Sequence, residues 1–100
     1  MRIDLFLKNT GLVPRRTMAQ KACQGGLVKL DGRSAKPSAE VRVGQEISVQ
    51  LGMSRRSYRV LQLAARAVRK DLRKEYVELL ESQAVEMWGE GGGPEPGLTP

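Results

Sequence analysis

The apolar positions of this 100-residue chain follow a helical spacing towards both ends and a strand-like alternation between them. Residues 3–9, IDLFLKN, predict one to two turns of helix, with Asp4 four residues ahead of Lys8 at the spacing of a supporting ion pair. Gly11 supplies the left-handed residue that ends such a helix, and Pro14 keeps it from resuming through the inward-turning Leu12 and Val13. Thr17 is the expected N-cap of a second helix, Met18–Gln24, in which Met18, Ala19, Ala22 and Cys23 share the buried face. Gly25 and Gly26 end it, at least one of them with positive φ. Leu27–Leu30 reads as a strand, Asp31-Gly32 as a tight hairpin turn and Arg33–Lys36 as the return, closed by Pro37. A turn over Glu40–Gly44 is expected to point Val41 and Val43 inward. Glu46–Leu51 and Ser57–Leu63 alternate polar and apolar as half-buried strands, with Gly52–Arg56 as a basic-tipped loop between them. From Val68 the spacing becomes helical again: Leu72, Tyr76, Leu79 and Leu80 recur at three- and four-residue intervals, opposite Glu75, Glu78 and Glu81, and predict a helix running towards Trp88. Residues 89–100 are rich in Gly and Pro and are expected to be disordered.

The fold class that follows is α+β, with two short helices on a small, mostly antiparallel sheet and a C-terminal helix. Residues 1–66 form the expected domain, 67–88 a helical extension and 89–100 the tail. With aromatics at 4%, the core must come mainly from aliphatic side chains, Phe6 included as the one phenylalanine.

Charge changes the picture from fold to partner. Residues 1–66 carry 13 Lys/Arg against 4 Asp/Glu, a net +9, whereas residues 67–100 carry 4 against 7, a net −3. Mere solubility does not require that segregation, and a polyanion is the expected partner. Arg15, Arg16 and Lys21 cluster at the start of the second helix, where guanidinium groups and free backbone amides both favour phosphate. Lys29, Arg33 and Lys36 come from the hairpin; packed beside the helix, they would extend the same face. No base-stacking aromatics accompany them, so the shape and backbone of folded RNA fit better than unstacked bases. Arg55, Arg56 and Arg59 form a third cluster that reads equally as a peripheral contact or as solvated charge.

Several chemistries are excluded or disfavoured. There is no histidine and a single cysteine, Cys23, so disulfides within the chain, Cys/His zinc sites and histidine acid–base catalysis are ruled out. Cys23 has no histidine partner and reads as a small buried thiol. No glycine-rich phosphate loop of the GxxxxGK type is present, and no cofactor is expected. No apolar run reaches the ~18–20 residues of a membrane span, and Asp4 and Lys8 interrupt the N-terminal apolar stretch where a signal peptide would need it unbroken; the expected location is cytoplasmic, with no membrane partner.

The opening RIDLFL, the helix RRTMAQKAC, the hairpin GGLVKLDG and the close VRVGQEI occur in one order over about residues 2–50, and together they resemble the S4 RNA-binding domain. The resemblance is greatest to its stand-alone bacterial members, the small heat-shock S4 proteins and the ribosome-associated quality-control factors of the RqcP family. It implies the family's fold, two helices packed on a small sheet, and a non-enzymatic protein. Its implied partners are rRNA and tRNA on the large ribosomal subunit, together with an RqcH-like protein that extends stalled nascent chains; a monomer is the simplest expectation. Carried onto this chain, Arg2, Arg15, Arg16, Thr17, Lys21, Lys36 and Ser38 stand at positions that face RNA, and Lys8, Gln20, Lys29 and Arg33 complete the candidate set. The alternatives are an accessory RNA-binding subunit of an RNA-modifying enzyme, or a small DNA-binding regulator that reads bases with Gln20, Lys21 and Gln24.

Overall fold

The computed structural model describes residues 1–84. Helix α1 spans Ile3–Thr10 and helix α2 Arg16–Gln24; strands β1 (Val28–Leu30), β2 (Arg33–Ser34), β3 (Glu46–Leu51) and β4 (Ser54–Val60) follow, then a 3-10 helix over Lys70–Glu75 and strand β5 (Val77–Ala84). The strands form one antiparallel sheet in the order β2-β1-β3-β4-β5. Ile3, Phe6 and Leu7 of α1 and Ala19, Ala22 and Cys23 of α2 are buried with Val28, Ile47, Val49 and Val60 of the sheet, so the helices and one sheet face enclose a single aliphatic core around Phe6. The expected α+β class with two helices on a small antiparallel sheet is what the chain forms.

Local signals set most of these boundaries. Gly11 takes φ +76 and its N–H donates to the Lys8 carbonyl, closing α1 as a left-handed C-cap. Gly26, also at φ +76, turns the chain out of α2. Asp31 and Gly32 have φ of +51 and +84, the pair of positive values that a two-residue turn needs to match the twist of its strands. Other boundaries differ from the sequence reading. Helix α2 starts at Arg16 with Arg15 as its N-cap, and no side chain among the described residues caps it; Thr17 lies inside the first turn instead of capping it. Met18 is 45% exposed, outside the buried face formed by Ala19, Ala22 and Cys23. Val41 is buried, but Val43 is 59% exposed beside the Gly44 turn. Strand β4 begins at Ser54, which reduces the expected basic loop to Gly52-Met53, and ends at Val60 rather than Leu63.

The largest correction concerns the expected C-terminal helix. Residues 77–84 form β5, paired along the whole of β4 from Val60↔Val77 to Ser54↔Ala84. The adjacent Leu79-Leu80 produced the helical spacing, and it coincides with an irregularity: Ser57 pairs with Glu81 and Tyr58 with Leu79, leaving Leu80 as an inserted residue. With Leu80 set aside, Val77, Leu79 and Ser82 alternate with Glu78 and Glu81 as a strand does. The backbone groups along β4 have partners only if this segment is extended, and that outweighs its helical spacing. The 85–88 end of the expected helix and the expected disorder of 89–100 lie outside the described residues.

Candidate nucleic-acid interface

The candidate site grows from a carboxylate that the sequence pairs with the wrong residue. Asp4 is fully buried in the first turn of α1, and its partner is not Lys8. Asp4 Oδ1 accepts from the Leu5 N–H at 2.7 Å and from Arg2 Nε at 3.3 Å. Oδ2 accepts from Arg2 Nη2 at 3.1 Å and from Gln20 Nε2 at 3.0 Å, with Arg16 Nε 3.5 Å away. Burial alone would push this carboxyl up; hydrogen bonds from Gln20, Arg2 and the Leu5 N–H, with the charge of Arg16, outweigh it and hold the group below the usual carboxylate range. One buried anion thus fixes two arginines whose side chains are 50% and 43% exposed. Each guanidinium offers five N–H donors, and Arg2 spends two on Asp4, so much of the fork remains for a ligand.

Backbone tethers bring a distant segment to this clamp. Ile3 N donates to the Ala39 carbonyl at 2.8 Å, Asp4 N to the Pro37 carbonyl at 3.2 Å, and Arg2 bridges to Glu40 as an isolated antiparallel pair. The first amides of α1 are thereby satisfied, and residues 36–38 lie opposite α2. Arg2, Gln20, Gln24, Lys36, Pro37 and Ser38 line the resulting cleft of about 380 Å³. Arg15 and Arg16 stand at the side-chain-uncapped start of α2, whose first turn holds no acidic residue. A cationic cleft beside a helix N-terminus is suited to holding phosphate groups.

The other candidates fall into two groups. Arg2, Gln20, Lys36 and Ser38 line the cleft, Arg16 reaches Asp4 Oδ2, which also holds Gln20, and Arg15, Thr17 and Lys21 stand exposed on or just before α2. Lys8 lies exposed in the last turn of α1, at the far end of that helix. Lys29 alternates with the inward Val28 and Leu30 and so faces away from the helices; Arg33 sits exposed on the edge strand β2. The hairpin therefore does not join its cations to α2 as one continuous face: only Lys36, beyond the strand, reaches the cleft. Reading the sequence for ion pairs misses Asp4 as the organiser, because its partners stand at positions 2, 16 and 20; a carboxylate inside an otherwise apolar helix face was the available signal.

The third basic cluster is divided by the sheet. Arg56 pairs with Val49 on the face towards the helices, whereas Arg59 lies between Glu46 and Glu78 on the outer face and donates to the Gly44 carbonyl at 3.0 Å. Arg55 donates to Gln50 Oε1 at 3.3 Å. Cys23 is buried, which raises its thiol to about 11 with a contribution from Asp4. Among the described residues no acidic, cysteine or histidine cluster could hold a metal ion, and no helix is long and apolar enough to cross a membrane.

Comparison with known proteins gives a family and a fold. The S4 domain model matches residues 1–47, the segment that contains α1, α2, the tether and the cleft. The chain is 46% identical over 63 residues to an RQC P-site tRNA stabilizing factor of Helicobacter pylori, covering 63% of this chain and 75% of that protein. It is 31% identical over 83 residues to the protein of the same name from Bacillus subtilis, covering 83% of this chain and 96% of that one. The trimeric structure of Vibrio cholerae heat shock protein 15 superposes with a TM-score of 0.76 over 80% of this chain and 81% of that one at 21% identity, a likeness of fold.

Proposed function

This chain belongs to the family of RQC P-site tRNA stabilizing factors, and from that premise we propose that it is a non-enzymatic protein that binds rRNA and tRNA on the large ribosomal subunit during quality control of stalled nascent chains. One observation carries the reading: the buried Asp4 holds Arg2 and Arg16 side by side at the rim of a cleft that also presents Lys36 and Ser38. Preset guanidinium forks take phosphate oxygens in pairs and lose less side-chain freedom on binding than free arginines do. Folded RNA suits the cleft, whose lining contains no aromatic ring on which a base could stack. A base-reading helix for duplex DNA fits less well, because Gln20 already gives its amide to Asp4. In this reading the protein acts as a cytoplasmic monomer, keeps a P-site tRNA in place by backbone contacts and works beside an RqcH-like protein.

Sedimentation of tagged protein through a sucrose gradient of cell lysate tests it. The expected result is co-migration with large subunits bearing peptidyl-tRNA, reduced by Arg16→Ala. Migration at the top of the gradient at low salt would overturn the reading.

A further inference from the structure

Residues 62–75 close on themselves. Leu61 N and Gln62 N both donate to the Tyr76 carbonyl, at 2.8 and 3.2 Å, and Gln62 Nε2 donates to the Glu75 carbonyl at 3.1 Å. The segment between these contacts is a compact loop of the kind whose ends meet and whose own side chains pack it. It is anchored to the C-terminal end of α1: Asn9 Nδ2 donates to the Ala64 carbonyl and Val68 N to the Asn9 carbonyl, each at 2.7 Å. A segment whose one regular element is the 3-10 helix over Lys70–Glu75 is therefore held at fixed points of the core.

What it presents is cationic. Arg66, Arg69, Lys70, Arg73 and Lys74 stand against Asp71 and Glu75, a net +3 at the junction of the basic and acidic parts of the chain. Among the described residues only Arg69 of these has an acidic partner, an exposed 3.2 Å pair with Asp71. Arg66 and Arg69 line a cleft of about 470 Å³ with Val68, Leu72 and Tyr76. Arg73 is half-buried against Gly11, where a Cβ would come within 2.8 Å of Nη2; its Nε is buried and has no hydrogen-bond partner among the described residues. Its charge sits at the end of α1 where the helix dipole favours a cation.

We infer that this loop is a second RNA contact, a phosphate-backbone site at the C-terminal end of α1, distinct from the Arg2–Arg16 cleft at its N-terminal end. The inference rests on the RNA-binding reading above and extends it. Helix α1 is about 12 Å long, and the exposed Lys8 lies in its last turn, so one RNA strand laid along α1 would touch the cleft, Lys8 and the loop in turn. The match is one of charge: Arg66 and Arg69 are the charged residues of a cleft otherwise lined by aliphatic side chains and Tyr76, with no amide side chain to read a base edge.

The full-length chain with Arg66, Arg69 and Lys70 all changed to Ala tests this by titration with large-subunit rRNA over a salt series. Every phosphate that the variant no longer neutralises should lower the slope of log K against log salt by about 0.7–0.9. The triple Ala variant should therefore show a slope lower by about 2–3 and weaker binding at low salt, with its melting temperature unchanged. The charge-conserving variant R66K/R69K, with Lys70 kept, should retain the wild-type slope. A wild-type slope in the Ala variant overturns the loop site, including the case in which the loop serves an acidic protein instead. Failure of the wild-type protein to bind RNA at any salt would sink the functional reading itself.

Discussion

Two arginine groups in this molecule look alike as sequence and differ as structure. Arg15-Arg16, helped by Arg2, and Arg55-Arg56, followed by Arg59, are both short basic runs beside apolar segments. In the first, Arg2 and Arg16 lean on a carboxylate that is itself fully buried, so their charge is positioned without being hidden. In the second, the strand sends Arg56 to one face and Arg55 and Arg59 to the other, where Glu46, Glu78, Gln50 and the Gly44 carbonyl surround them. A basic run therefore stays open to a ligand when its partner is behind it, and is occupied within the fold when its partners are beside it.

The sharpest way to break that contrast is to remove the carboxylate. Asp4→Ala should lower unfolding free energy by about 1–3 kcal/mol, the range for losing a buried hydrogen-bonded acceptor, and should also weaken RNA binding, although it takes away a negative charge. Urea titration and RNA binding on one preparation check both; tighter binding by the variant would refute the view that Asp4 positions the arginines. Next in size, Arg16→Ala should weaken RNA binding about 10- to 100-fold, corresponding to a charged hydrogen bond worth about 1.5–3 kcal/mol, while Arg59→Ala should change it less than about 2-fold. Equal losses in filter binding would erase the distinction between the two groups.

Acid gives a smaller and more selective test. Asp4 titrates lower in the folded chain than in the unfolded one, so its contribution is fully present above the unfolded value of about 4 and is lost as pH falls through the lower folded value. The gap in urea midpoint between the wild type and Asp4→Asn should therefore narrow as pH drops below about 4. A gap that stayed constant down to about pH 2 would mean that the carboxylate's charge adds nothing. The smallest expected effect is Arg55→Ala, within about 0.5 kcal/mol of wild type, measured by thermal melting.

How much of this could be read from the sequence follows from the range of each interaction. Helix α1, its Gly11 cap and the Asp31-Gly32 hairpin were legible because turn chemistry acts over three or four residues. Strand β5 was not, because Leu79-Leu80 imitates a helical face, and only the partner strand β4 shows one of those leucines to be an insertion. The cleft was half legible. Its cations stand in the S4-like run, but the residue that arranges them looked like half of an Asp4–Lys8 pair, and nothing local says that Gln20 or residues 36–38 will meet it. The face of Lys29 is not legible for a related reason: strand alternation gives a side chain's face only once the covered face is known. The loop cations at 69–74 are hidden in the charge count of residues 67–100, where the glutamates that follow outweigh them.

The tether between residues 3 and 39 has a consequence for when the protein becomes competent. Local pieces such as α2 and the β1–β2 hairpin can form early, but the cleft exists only after two segments far apart in sequence have met, a step whose closure entropy must be met before its contacts form. A partly folded chain carries every arginine of the interface and none of its geometry. In such a chain the positive charge is already present, while the arrangement that Asp4 and the tether give it is not.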